Sequence, residues 1–460
     1  MNSCSASETK WNASTMTPQP ADISDVAVWL LTAKHVIDVM LANGSCRRRE
    51  AVRGEGHGQC DPRGLTGRER RSSGKSHAMS ERVVIIGAGP AGISAALSLK
   101  DKGVRPLLVD RADAVAASWR GRYDRLRLNT GRQFSHLPGR RYPKGTPVYP
   151  TRDQVVEHLD RHAREDGIEL HLNTAVERID QHRAGWRLTT SNGDLDARHV
   201  VVATGYLHTP FIPNWPGVFS GELLHSASYR DPVPYAHKRV LVVGSGSSGM
   251  EIAHDLTTGA ATKVWLSVRT PPNILPRKGP AGLPNDVLSI PLFHLPSRMS
   301  DVISAAARGR AFGDLKEFGL PLPQEGPFAR AHRLHAAPTV IDPEVIDAVR
   351  DGSIEVVGAV SALEGAQVEL VGGARIQPDV MICATGYGPG LDPLVGHLGV
   401  LTPDGVPVML APSAAAEGLY FHGLLSRPAL IGYLAKQSRM LAKRISQDRR
   451  PTAHELTARF

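Results

Sequence analysis

Cysteine is scarce in this chain: Cys4, Cys46, Cys60 and Cys383 are the four in 460 residues, with no C-x-x-C pair and no Cys/His spacing. A disulfide framework and a zinc module are therefore excluded, and no metal site is expected. Only Cys383, inside the apolar run MICATGY, has core-like neighbours, and it reads as a small buried residue. No apolar run reaches the length of a membrane-spanning helix. The stretch Ala21–Leu41 has amphipathic character, but Asp25, Lys34, His35 and Asp38 interrupt it. It also lacks the basic start and small-residue cleavage site of a signal peptide; the missing disulfide framework is what fits a reducing, cytoplasmic setting. An excess of one charge is modest too: 54 Lys and Arg against 45 Asp and Glu give +9. No basic cluster sits in a recognisable nucleic-acid module, so the charge fits solubility or a basic groove for anionic cofactors.

What is present falls into two parts. Residues 1–78, in which the stretch Cys46–Ser76 is rich in Arg, Gly and Ser with a basic run at Arg47-Arg48-Arg49, are expected to be disordered or dispensable. From Met79 the pattern changes. Val83-Val84-Ile85-Ile86 is a continuous apolar run of the kind a buried parallel strand needs, and Gly87-Ala88-Gly89-Pro90-Ala91-Gly92 follows it. A helical pattern through Ile93, Ala96, Leu97 and Leu99 leads to a second strand ending at Asp110. The same order recurs at Arg239–Val243, Gly244-Ser245-Gly246-Ser247-Ser248-Gly249 and Lys263–Val268. Two βαβ units imply an α/β fold with two Rossmann-like dinucleotide-binding domains.

Each glycine has a physical task. Gly87 and Gly244 permit the tight turn, Gly89 and Gly246 let the backbone approach a pyrophosphate, and Gly92 and Gly249 let helix pack on strand. The helix N-terminus then offers unpaired N–H groups and partial positive charge to the phosphates. The strand ends separate two cofactors. Asp110 suits the free ribose hydroxyls of FAD or NAD. Its counterpart region, Ser267-Val268-Arg269-Thr270, has no acid. There Arg269 can hold a 2′-phosphate in its planar donor fork and Ser267 can add a hydroxyl, which points to NADPH; Arg269 as a solvated surface arginine is the competing reading.

From about Met79 to about Ile445 the chain resembles the flavin-containing monooxygenases, and most closely their YUCCA-like branch. The segment Phe219–Tyr229 matches the fingerprint FxGxxxHxxx(Y/F) through Phe219, Gly221, His225 and Tyr229. Two ATGY segments, Ala203–Tyr206 and Ala384–Tyr387, and the run Ala117-Ser118-Trp119 with Tyr123–Leu128, agree as well. The strands before the ATGY segments are expected to close their sheets, with the glycines letting the chain cross between domains. That reading splits the FAD-binding domain into 79–207 and 388–460, the latter with a C-terminal helix, around an inserted NADPH-binding domain at 208–387. The resemblance implies a coupling role for His225 and Tyr229; packed linker residues are the other reading. It also implies an FAD- and NADPH-dependent monooxygenase that passes one oxygen atom from O2, held on the flavin C4a, to a small organic substrate.

Asn129 stands where animal-type flavin monooxygenases carry an asparagine beside the flavin, whereas YUCCA-like enzymes tend to carry histidine. Its amide could bond the oxygen adduct and the nicotinamide, or it could cap the turn Asn129-Thr130-Gly131. Trp119 is read either as a cofactor neighbour or as a core residue. A flavin disulfide reductase would need a close cysteine pair, which is absent. A Baeyer–Villiger ketone monooxygenase would usually end the fingerprint in Trp rather than Tyr229. An NADPH-dependent flavin oxidoreductase without oxygen insertion stays open. The Pro- and Gly-rich segment 280–327 is expected near the active site.

Overall fold

The computed structural model describes residues 82–448 except 184, 280–283, 335–337 and 427–429. The expectations for residues 1–78, including the helix over 21–41, lie outside the described residues, as do Cys4, Cys46 and Cys60.

The chain opens with β1 (Val83–Ile86), α1 (Pro90–Lys100) and β2 (Leu107–Val109). A connecting stretch carries α2 (Arg152–Glu165) into β3 (Glu169–His171), and an antiparallel three-stranded meander precedes β4 (His199–Val202). The second half-fold begins with β5 (Glu222–His225) and β6 (Arg239–Val243), then α3 (Ser247–Thr258) and β7 (Lys263–Ser267). It ends with β8 (Ile354–Val357) and β9 (Val380–Cys383), after which β10 (Leu419–Phe421) and α4 (Leu430–Gln447) close the described chain.

Two five-stranded parallel sheets result. The first has the order β10-β4-β1-β2-β3 and the second β5-β9-β6-β7-β8. The first sheet is thus completed by β10, which returns after the whole of the second sheet has been made. Strands β4 and β9 do not close their sheets, contrary to expectation: each has a neighbour on both sides, β10 or β1 for β4 and β5 or β6 for β9. Their sequences agree with an interior place, because His199–Val202 and Val380–Cys383 are buried along their whole length.

Burial drives both layers. Val84 and Ile85 are fully buried, and each such side chain contributes roughly 1.5–3 kcal/mol relative to exposure. Helix α4 shares one apolar cluster with α1: Leu434, Leu441 and Ile445 pack with Ile93, Leu97 and Leu99. Cys383 is fully buried, as expected, and burial pushes its thiol up to about 12. No described helix is long and apolar enough to cross a membrane.

Candidate functional site: two phosphate loops and the junction between them

Both glycine loops leave the C-terminal end of a buried strand and enter a helix. Gly87 sits at φ +107°, and a Cβ there would come within 2.6 Å of the Ala203 carbonyl oxygen. A Cβ on Gly92 would lie 1.8 Å from the Gly87 oxygen, so α1 could not approach the turn with any other residue. Gly89, in contrast, has nothing within 4 Å, which leaves the backbone open on the face where a pyrophosphate would lie. The second loop repeats this: Gly244 at φ +114°, Gly249 at 1.9 Å from the Gly244 oxygen, and Gly246 open. Helices α1 and α3 both start without a side-chain cap, whereas α2 starts with a full Thr151/Gln154 capping box. Thr151 accepts from one first-turn N–H in α2, that of Gln154, whereas no side chain caps the first-turn N–H groups of α1 and α3, which leaves them for phosphate oxygens. On these observations the residues present fit two dinucleotides.

The strand ends differ in charge. Asp110 ends β2 and accepts two backbone N–H bonds, from Ala88 inside the glycine loop at 2.6 Å and from Ala112 at 2.9 Å. Its carboxylate therefore braces the loop and keeps a second lone pair on each oxygen for ribose hydroxyls. At the end of β7, Ser267 is buried and donates its hydroxyl to Gly358 O at 2.9 Å. Arg269 and Ser267 line a cavity of about 350 Å³ together with Gly244, Gly246, Thr270 and Arg330. Arg330, on the helix Pro327–Leu334, had no signal in the sequence; only the fold brings its cation to the second loop. Trp119 is half-buried on the short helix Ala117–Arg120 and packs against the first core cluster.

The fingerprint residues lie where the chain crosses between the sheets. The two ATGY segments turn at Gly205 (φ +81°) and Gly386 (φ +90°), and the segments that follow pair antiparallel, Tyr387 with Pro210 and Gly388 with Thr209. His225, at the end of β5, is 5% exposed. Its Nδ1 accepts from Ala227 N at 3.0 Å, so its proton is on Nε2, which donates to Gly386 O at 3.0 Å. Burial lowers its pKa, against a smaller raising effect of that hydrogen bond. The ring also meets Tyr387 edge-on at 4.8 Å, and Arg122 from the first half-fold donates to the Tyr387 hydroxyl at 2.6 Å. Tyr229 is fully buried, stacks on Tyr235 and donates to Asp255 Oδ2 at 2.8 Å. Phe219 packs on the second sheet's outer cluster, and a Cβ on Gly221 would meet the Asp379 oxygen at 2.6 Å. His225 thus braces the crossover, while Tyr229 anchors the core of the second sheet.

Asn129 does not cap its own turn. Its Oδ1 accepts from Arg277 Nη2 at 3.2 Å, and Arg277 also binds Glu251 at 2.6 Å and Asp342 at 2.9 Å. Arg277 is 4% exposed. Tyr123 donates to the other oxygen of Glu251 at 2.7 Å, and Tyr149 donates to the Arg277 carbonyl at 2.6 Å. Burial raises the Glu251 pKa, with Arg277 the largest opposing influence. Next to this cluster Asp286, from the segment expected near the active site, accepts from Gly131 N at 2.6 Å. This network was not legible in the sequence, where the sole hint was a glutamate two residues after the last glycine of the second loop.

Residues 84–273 match the family described as pyridine nucleotide-disulphide oxidoreductase. The chain is 34% identical over 357 residues to indole-3-pyruvate monooxygenase YUCCA1 of Oryza sativa subsp. japonica, covering 75% of this chain and 87% of that protein. It is 32% identical over 361 residues to the probable indole-3-pyruvate monooxygenase YUCCA9 of Arabidopsis thaliana, covering 76% and 85%. Its fold is shared with the flavin-containing monooxygenase from Stenotrophomonas maltophilia, with a TM-score of 0.60 at 22% identity over 80% of this chain and 99% of that one. Identity at this level over three quarters of the chain, joined to two glycine-loop units and the fingerprint between them, makes the chain a member of the YUCCA-like branch of the flavin monooxygenases, FAD- and NADPH-using oxidoreductases.

Proposed function

We propose that this chain inserts one oxygen atom of O2 into an aryl 2-oxo acid of the indole-3-pyruvate type, with 79–207 and 388–460 holding FAD and 208–387 holding NADPH. When bound, FAD supplies the redox and oxygen-activating chemistry and NADPH the hydride. The observation that carries the reading is the pair of uncapped, glycine-gated helices whose strand ends carry opposite charge, Asp110 in one and Arg269 in the other. The relatives named as indole-3-pyruvate monooxygenases, aligned over most of their length, support the substrate class.

In this reading Asp110 receives the FAD ribose, and the N-terminus of α1 takes the pyrophosphate. Arg269 and Arg330 neutralise the 2′-phosphate of NADPH in the cavity at the second loop. His225 ties β5 to the crossover so that the two nucleotides meet in a fixed relation, and Trp119 walls the first site. Asn129 offers its amide at the junction of the two half-folds. A disulfide reductase reading lacks a thiol pair: Cys383, the sole cysteine among the described residues, is fully buried.

The test is oxygen-isotope incorporation by the purified flavin-loaded protein. For a 2-oxo acid the balance is substrate, NADPH, H⁺ and O2 giving the carboxylic acid shortened by one carbon, CO2, NADP⁺ and H2O. With ¹⁸O2 and a panel of 2-oxo acids, sulfides, amines and ketones, one labelled oxygen is expected in the carboxylate from indole-3-pyruvate. NADPH oxidation that labels no product in the panel would refute the monooxygenase reading. Label in a sulfide, amine or ketone product alone would refute only the substrate class.

A further inference from the structure

The Arg277 cluster joins parts of the chain that the two sheets keep apart. Asn129, Tyr123 and Tyr149 come from the stretch between β2 and β3, Glu251 from α3, and Arg277 and Asp342 from the region between β7 and β8. Asn129 and Arg277 are 148 residues apart in sequence and 3.2 Å apart in space. The cation is 4% exposed, so its contacts are little screened by solvent and hold a defined geometry.

A primary amide has a donor end and an acceptor end, but a guanidinium has only donors. Arg277 can therefore face only the carbonyl oxygen of Asn129, which turns both amide N–H bonds the other way. Among the described residues none accepts from that nitrogen. Glu251 and Asp342 in turn hold the guanidinium, and Glu251 stands on α3 two residues after Gly249 of the second phosphate loop. Whatever binds that loop shares a helix with the carboxylate that anchors Arg277.

We propose that Arg277 is a positioning residue: it fixes the amide of Asn129 with its donors turned toward acceptor atoms of the bound cofactors, and Glu251 links that setting to occupancy of the second nucleotide site. This rests on the reading of the chain as a flavin monooxygenase with Asn129 at the cofactor junction. Arg277 acts through Asn129, so the two should not contribute independently.

The experiment uses the full flavin-loaded chain as wild type, Asn129→Ala, Arg277→Lys and the double variant. A lysine keeps the charge but cannot span Glu251, Asp342 and Asn129 together. One readout needs no turnover: NADP⁺ is titrated and the perturbation of the flavin absorbance gives a dissociation constant. The other is the fraction of NADPH oxidised that appears as H2O2, from NADPH, H⁺ and O2 giving NADP⁺ and H2O2. Each single variant is expected to raise both by about five- to tenfold, the loss of one ordinary hydrogen bond from the Asn129 amide. The double variant is expected to match Asn129→Ala. A wild-type response retained by Arg277→Lys, or single effects that multiply in the double variant, overturns the inference alone. A wild-type protein that binds flavin but shows no response to NADP⁺ overturns the parent reading as well.

Should Arg277→Lys fail to fold, Asn129→Asp decides. It keeps an acceptor for Arg277 while removing both amide donors, so it must reproduce the Asn129→Ala effect. Wild-type behaviour in Asn129→Asp overturns the inference.

Discussion

The two phosphate loops are nearly the same object built twice, yet their surroundings treat a ligand differently. A Cβ on the third glycine would lie 1.8 Å from backbone oxygen in one and 1.9 Å in the other, and the middle glycine is open in both. At the strand ends the likeness stops. The first carries a carboxylate already accepting two backbone N–H bonds, while the second carries a buried serine bonded inward and Arg269, which lines a cavity together with Arg330 from a separate helix. The lesson is that backbone geometry makes a generic pyrophosphate cradle, and a few side chains at the rim decide which nucleotide fits it.

The largest expected effect breaks the likeness within each loop. Gly92→Ala and Gly249→Ala force a methyl group into a carbonyl oxygen, an overpacking that costs about 1–3 kcal/mol or more. The first is expected to purify without flavin, and the second to keep flavin but lose NADPH oxidation. Gly89→Ala and Gly246→Ala meet nothing, so the stability of the flavin-free protein should change by no more than about 0.5 kcal/mol while cofactor affinity falls. Thermal unfolding of flavin-free protein, beside the flavin-to-protein ratio, separates the two classes. Equal destabilisation by all four would show that the middle glycines are structural.

A smaller effect sharpens the contrast at the rims. Arg269→Ala removes a charge-assisted contact of roughly 1.5–3 kcal/mol, so the Michaelis constant for NADPH should rise about tenfold or more with NADH almost unaffected. Arg330→Ala should act in the same direction, because its side chain lines the same cavity. Steady-state kinetics with both coenzymes checks this, and equal effects on NADH and NADPH would make Arg269 a structural residue.

The smallest effect compares one histidine at each sheet. His422 follows β10, is 2% exposed and bonds Ser438 Oγ at 2.9 Å; burial lowers its pKa to about 4. The unfolded chain binds a proton near pH 6.5 that the folded chain refuses until about pH 4. Stability is therefore lost as pH falls through this window. Between pH 6.5 and 5 the loss from His422 is about 1.5 kcal/mol, and His422→Gln should remove it. His225→Gln should reduce the acid sensitivity in the same direction, since burial lowers its pKa too. Denaturant unfolding at pH 7 and pH 5 measures both; an unchanged pH dependence in His422→Gln would show that the lowered pKa is not expressed in stability.

Much of the fold was legible because its signals are local. A continuous run such as Val83–Ile86 can hide both faces only in a covered parallel sheet, and the glycine spacing constrains residues within one turn of each other. The interior place of β4 and β9 is not legible, since a short buried strand reads the same at either position in a covered sheet. Resemblance points to Asn129 but not to its partner Arg277, because an arginine after a short apolar run carries no mark of burial. The sequence leaves the Ser267 hydroxyl free for a ligand, whereas the fold turns it to Gly358.

By itself, then, the sequence determined the two βαβ turns, their open middle glycines and the opposite charge at their strand ends, since each depends on residues only a few positions apart or on one strand. The tertiary structure alone decided that β4 and β9 lie inside their sheets, that Arg330 joins Arg269, and that Asn129 meets Arg277 and Glu251. Those contacts join residues far apart along the chain. Their geometry follows from how two sheets and a crossover ribbon pack, which no local spacing encodes.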